Sequence, residues 1–187
     1  MNRACIGLGS NVDADANLAA AVRGLRRVVV VESVSSAWES PAVGVPAPDF
    51  VNAAMLVRST GSETELVSLL KRLENGMGRA RGSPSMRVVI DLDLLVFEDD
   101  VRRSELWSLP YRAVPAAELL PGLRCPETGE TLSQAAARHL AACVIWSRPD
   151  VLLDAAAAPD SGAGGPPLRW GAVPTLLDPR ATDDDTE

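Results

Sequence analysis

Apolar and polar positions along this chain follow two different periods. Residues 3–9 form an apolar stretch that closes on glycines, which predicts a short strand. Asp13 stands where a helix N-cap would. After it Leu18, Ala21, Val22 and Leu25 recur at i, i+3, i+4 and i+7, the buried stripe of an amphipathic helix. Residues 28–38 are rich in valine and predict a strand. ESPAVGVPAPD at 39–49, with three prolines and a glycine, predicts a rigid loop. FVNAAMLVR at 50–58 returns to strand. Ser62 and Glu65 make a capping-box pattern, and Leu66, Leu69, Leu70 and Leu73 give the helix it opens an apolar stripe running to about Gly78. RARGSPSM at 79–86 predicts a basic loop. The first ten residues of RVVIDLDLLVFEDD, from Arg87, predict a central strand apolar on both faces. A turn at 98–100 follows, then a shorter element ending near Pro110, one or two helical turns at Pro115–Leu120, and a helix over Glu130–Cys143.

The order β-α-β-β-α-β predicts an α+β domain of the ferredoxin-like plan, with two helices on one face of an antiparallel sheet and short C-terminal additions. With 187 residues, 47% of them hydrophobic, the chain suits one domain with a full core. This domain is expected to span 1–150. From Val151 the chain turns to Ala, Gly, Pro and Asp without periodicity. Residues 151–187 therefore predict a disordered acidic tail, with docking around Leu168–Trp170 the lesser alternative.

Charge sharpens this division. The net charge is −7, but residues 151–187 hold seven acids against two bases, leaving the body near neutral. No basic surface of the kind that binds nucleic acid is expected. Lys71 is the only lysine; the arginine excess reads mainly as coding bias, although each arginine is also a fork able to grip phosphate. Cys5, Cys125 and Cys143 are widely spaced and outside any CxxC pattern, so reduced, buried thiols are expected. With no signal-peptide pattern at the start and no apolar run of membrane-spanning length, a cytoplasmic protein with no membrane association is expected.

The chemistry concentrates on Asp91 and Asp93. At i and i+2 of a strand they share a face, and two neighbouring carboxylates in an apolar setting repel each other unless a cation lies between them. Magnesium takes one or two carboxylates and completes its shell with water and phosphate oxygens. A carboxylate pair beside an arginine-rich loop holding Arg79 and Arg81, with Arg87 beyond it, fits a metal–triphosphate site. Glu74, at the C-terminal end of its helix where the dipole disfavours an anion, suits a hydrogen-bonding role. GLGSN at 7–11 reads as a tight turn that lets the backbone approach a ligand. Asn52, in an apolar strand, is either a satisfied core amide or a reader of a heterocycle's edge, with Phe50 on the same face to stack on the ring. His139, in an alanine-rich helix, reads as structural or surface.

Taken in order and spacing, GLGSN at 7–11, SPAVG at 40–44, PDFVNAA at 48–54, LENGMGRAR at 73–81, IDLDLLVF at 90–97, LP at 109–110 and PAAELLP at 115–121 resemble the 6-hydroxymethyl-7,8-dihydropterin pyrophosphokinase family of folate biosynthesis. The resemblance implies transfer of pyrophosphate from ATP to the pterin hydroxymethyl group, leaving AMP, with these two small molecules as substrates; the oligomeric state stays open, with a monomer favoured. It implies two Mg2+ ions on Asp91 and Asp93, with Arg79, Arg81 and Arg87 as catalytic arginines. Ser40, Pro41, Val43, Gly44, Phe50 and Asn52 then fall at the pterin pocket. Lys71, Arg79, Arg81, Leu94, Ser108 and Tyr111 approach ATP, and Glu74 and Asn11 support the loops. The chain also departs from the family. SPSMR replaces Trp-Gly-Pro-Arg before the metal strand, with Arg87 four residues ahead of Asp91 rather than three, so that a bulge is needed to turn it inward. After Pro110 the family's His becomes Tyr111 and a segment is missing, with Arg112 the substitute for a lost Arg. These departures motivate an alternative, a non-catalytic pterin- or nucleotide-binding paralogue. An RNA-binding sheet is disfavoured by the scarcity of aromatics on the strands.

Overall fold

A computed structural model describes residues 1–44, 46–78 and 87–153. Among the described residues seven strands form one sheet: β1 (Asn2–Ser10), β2 (Val30–Val34), β3 (Trp38–Ser40), β4 (Phe50–Ser59), β5 (Asp91–Phe97), β6 (Asp100–Val101) and β7 (Trp146–Ser147). The order is β6-β5-β1-β4-β3-β7, with β2 also on β4, and every pairing is antiparallel. Four helices pack on it: α1 (Ala14–Arg26), α2 (Glu63–Gly76), α3 (Pro110–Leu119) and α4 (Leu132–Ala141). The βαββαβ core is as the hydrophobic pattern predicts.

The core divides along the strand pleat, because successive side chains point to opposite faces. Ile6 and Leu8, Val51, Ala53, Met55 and Val57, and Leu92 and Leu94 pack against the apolar stripes of α1 and α2. Their neighbours Cys5, Ala54, Leu56 and Leu95 pack on the other side, with Leu106 and residues of α3 and α4. The C-terminal helices therefore cover part of the second face, which the two-helix plan leaves bare.

Local differences from the sequence expectations have identifiable causes. The strand expected over 28–38 splits into β2 and β3 because Ser35 turns its side chain to the ladder, its Oγ accepting the Ala54 N–H at 2.8 Å. β3 occupies the start of the expected rigid loop. Residues 87–90 lie outside β5 because the side chains of Ser10, at the end of β1, and Asn11, just beyond it, take up their backbone groups. Ser10 Oγ donates to the Val89 carbonyl at 2.7 Å, and Asn11 Oδ1 accepts from the Val88 N–H at 2.6 Å. Ser62 and Glu65 form the capping box. Asp13 holds the N-cap position of α1 but in left-handed backbone geometry, without capping through its side chain. The helix expected at 115–120 begins at Pro110, whose fixed φ suits a first helical turn.

Leu153 is buried and Val151 packs against the core, so the packed body runs past the expected boundary at 150. The rest of the expected tail, with Leu168–Trp170, lies outside the described residues. Of the cysteines only Cys5 is buried, its thiol pushed up to about 12 by burial; Cys125 is half-buried and Cys143 exposed. His139 is structural: buried, its Nε2–H donates to the Trp107 carbonyl at 2.9 Å. None of the described helices is long and apolar enough to cross a membrane.

Candidate functional site

Beyond the edge of α3 the second face of the sheet lies open, and there it becomes polar. Gly7 and Gly9 of β1, Asn52 of β4, and Asp91, Asp93 and Leu95 of β5 line a cavity of about 320 Å³, the scale of a small-molecule pocket. Ser40, Pro41, Val43 and Phe50 close one side and Tyr111 and Arg112 of α3 the other. The register explains the floor. Gly9 pairs with Asn52 on one side and Asp91 on the other, and Gly7 with Ala54 and Asp93. Both glycines lie within β1 rather than in the tight turn expected of GLGSN, and their missing side chains hollow the sheet. A Cβ on Gly9 would stand 3.0 Å from Asn52 Oδ1, and one on Gly7 3.2 Å from Leu95.

Asp91 and Asp93 are both half-buried on this floor. Asp93 is gripped by two arginines from different parts of the chain. Arg103 donates to its Oδ1 at 2.6 Å and Arg112 to its Oδ2 at 2.8 Å. Burial pushes the Asp93 carboxyl up, but the hydrogen bonds and charges of Arg103 and Arg112 outweigh it and hold the group below the usual aspartate range. Arg112 also lies 5.5 Å from the centre of the Tyr111 ring. Burial raises the Tyr111 phenol above its ordinary pKa, so it remains a neutral donor.

The donor set fits a hard divalent cation. Two carboxylates share one cavity, while the described residues hold no cluster of three or more His, Cys, Asp or Glu that would form a closed cage. Such a cation would have to complete its shell with water or ligand oxygens, the habit of Mg2+.

Buried polar side chains fix the geometry around the carboxylates. Glu74 is 1% exposed. Its carboxylate reaches the edge of β5 that β6 leaves uncovered and accepts the Leu92 N–H at 2.7 Å, between the two aspartates. Lys71 donates to the same carboxylate at 2.9 Å. Asn11 joins three segments, accepting from Val88 and donating to the Pro48 carbonyl at 3.3 Å. Asn52 is buried and donates to Ser40 Oγ at 3.2 Å and to the Phe50 carbonyl at 3.4 Å.

The structure thus brings together Ser40, Pro41, Val43, Phe50, Asn52, Asp91, Asp93 and Tyr111 from the residues singled out in the sequence, with Glu74 and Asn11 behind them. Gly44 stands nearby with φ +80° but does not line the cavity. Lys71 and Ser108 also lie outside the lining; Ser108 Oγ donates to the Glu105 carbonyl. Leu94 turns its side chain into the core on the opposite face, so only its backbone can meet a ligand in the cavity. Arg87 is exposed and not in the lining, and the irregularity in β5 falls at Leu95, not beside Arg87. Arg79 and Arg81 lie outside the described residues.

Arg103 escaped the sequence reading. The β5–β6 hairpin pairs Val96 with Val101 and Phe97 with Asp100. Extended past the hairpin, that register sets residue 103 opposite Leu94, whose side chain lies on the other face, so strand pairing alone gives no signal for the Arg103 contact with Asp93.

The family model described as 7,8-dihydro-6-hydroxymethylpterin-pyrophosphokinase (HPPK) matches residues 5–121. The chain is 32% identical to a protein of Synechocystis sp. named 2-amino-4-hydroxy-6-hydroxymethyldihydropteridine pyrophosphokinase, with 70% of this chain and 73% of that one covered. It is 33% identical to a protein of the same name from Methylorubrum extorquens, over 74% of this chain and 94% of that one. Among solved structures, the HPPK-DHPS protein of Plasmodium falciparum with pteroate superposes with a TM-score of 0.61 at 9% identity, over 75% of this chain and 42% of that one. That likeness speaks to the fold.

Proposed function

The chain belongs to the 7,8-dihydro-6-hydroxymethylpterin-pyrophosphokinase family, and from that premise we propose how it transfers pyrophosphate from ATP to the hydroxymethyl group of 6-hydroxymethyl-7,8-dihydropterin in folate biosynthesis. One observation carries the reading: the carboxylate pair and the buried amide of Asn52, with Phe50 beside it, share a single cavity. A site of that composition suits a metal–triphosphate at one end and a flat polar ring at the other.

In the reaction the hydroxymethyl oxygen forms a bond to the β-phosphorus of ATP. The bond from that phosphorus to the α-phosphate oxygen breaks, and AMP leaves as the hydroxyl proton is lost. Two Mg2+ ions, bound with ATP, supply charge neutralisation of the triphosphate. Asp91 and Asp93 would hold them. The same interactions that keep Asp93 ionised make it a poor base, so its role is to bind rather than to carry the proton. Asn52 and Ser40 orient the ring through its polar edge, and Phe50 offers a face to stack on. Arg112, already in the lining, offers its fork to phosphate oxygens. Glu74 and Asn11 act behind the cavity by fixing the backbone at Leu92 and Val88, the positioning on which phosphoryl-type transfer chiefly depends. Lys71, Arg79, Arg81, Arg87, Ser108, Tyr111 and the Leu94 backbone complete the proposed approach to ATP. The protein's proposed place of action is the cytoplasm, with a monomer the favoured state.

The test is turnover of ATP and hydroxymethyldihydropterin by the full chain with Mg2+, read as AMP release by an enzyme-coupled assay. AMP formed only when the pterin is present is the expected result. No AMP at enzyme concentrations comparable to the substrates would overturn the reading.

A further inference from the structure

We infer that Arg103 and Arg112 form a charge clamp that shuts Asp93 to a bare divalent cation and yields it to one arriving on a polyphosphate. This deepens the pyrophosphokinase reading and rests on it for the identity of the ligand. Each Asp93 oxygen accepts from a different guanidinium, at 2.6 Å from Arg103 and 2.8 Å from Arg112. Both guanidinium groups carry positive charge, so a cation approaching alone meets two like charges. It would also have to take over oxygens already engaged by N–H donors.

The clamp has little else to hold. The Arg112 side chain is 16% exposed, and its other carboxylate, Glu105, lies at 3.5 Å. The Nε of Arg103 is buried without a hydrogen-bond partner. Drawing both guanidinium groups off Asp93 without a replacement would leave desolvated charge uncompensated. A polyphosphate removes that penalty, because its oxygens offer both forks a bidentate anionic partner while its own charge offsets the repulsion on the metal. Arg112 already faces the cavity into which such a ligand would come. Metal and nucleotide affinities are then coupled, each raising the other by the same factor.

The experiment measures Mn2+ binding to the full chain by electron paramagnetic resonance, alone and with α,β-methylene-ATP, for the unmodified protein, Arg103→Gln and Arg112→Gln. The unmodified protein should bind bare Mn2+ weakly and gain strongly from the nucleotide analogue. Each substitution should tighten bare Mn2+ binding about tenfold, as removal of a nearby like charge does, while weakening the analogue, so that the coupling shrinks. The opposite signs separate a clamp from a merely structural contact, which would weaken both. Arg103 is partly exposed, so Arg103→Gln decides the matter even if loss of the Arg112 contacts impairs folding. Bare Mn2+ affinity unchanged or lowered by Arg103→Gln would overturn the clamp. Because this readout needs no turnover, coupled binding without AMP formation would count against the reaction alone, and AMP formation with unchanged Mn2+ affinity against the clamp alone.

Discussion

The two faces of the sheet are built from alternate residues of the same three strands, yet they do opposite work. Toward α1 and α2, β1 presents Ile6 and Leu8, β4 presents Val51, Ala53, Met55 and Val57, and β5 presents Leu92 and Leu94. One residue along, the same strands present Gly7 and Gly9, Asn52, and Asp91 and Asp93 to an open cavity. The first face is continuous and dry. The second is dry only where α3 and α4 cover it. The pleat therefore places the least tolerant packing and the most polar chemistry within one residue of each other. The rigidity of the packed face becomes the positioning of the reactive one.

Substitutions on either side test that division. Asp91→Asn, on the cavity face, should lower kcat by roughly 10²–10³-fold with unchanged thermal unfolding. Met55→Ala, on the packed face, should cost about 2–5 kcal/mol in denaturant unfolding, with kcat per folded molecule retained. A loss of stability in the first or of intrinsic kcat in the second would break the comparison. Gly9→Ala sits between them. Its Cβ would crowd Asn52 Oδ1, so KM for the pterin should rise roughly tenfold, the scale of one misplaced methyl in a pocket, with KM for ATP little changed.

Much of the packed face was legible in the sequence because burial writes itself as periodicity. The leucine stripe from Leu66 to Leu73 and the capping box at Ser62 and Glu65 gave α2 directly. The paired carboxylates of β5 were legible as an inconsistency, two acids in an apolar strand. Other features depend on contacts that no local pattern records. The break at Ser35 follows from a side chain replacing a backbone partner across the sheet. The start of α3 at Pro110 brings Tyr111 and Arg112 onto a helix facing the cavity, where the sequence suggested helical turns only from Pro115. The glycines of GLGSN suggested a turn, although their use is to leave room beside Asn52.

The smallest expected effect concerns Asp93 itself. Its carboxyl is held below its ordinary value near 4, so the stability this contributes is complete above that value and is lost as pH falls through the lower, folded one. Asp93→Asn should therefore be less stable than the unmodified protein at neutral pH, with the difference shrinking below about pH 4. A difference that stays constant from neutral pH to acid would mean that the two arginines do not bias the protonation of Asp93.

The most direct measurement is a crystal structure of the full chain with Mn2+ and α,β-methylene-ATP, read at the manganese absorption edge. The account predicts anomalous peaks within coordination distance of the Asp91 and Asp93 carboxylates, with phosphate oxygens of the nucleotide completing the shell. Nucleotide bound with no metal at either aspartate, or with Asp93 still held by Arg103 and Arg112 alone, would contradict it.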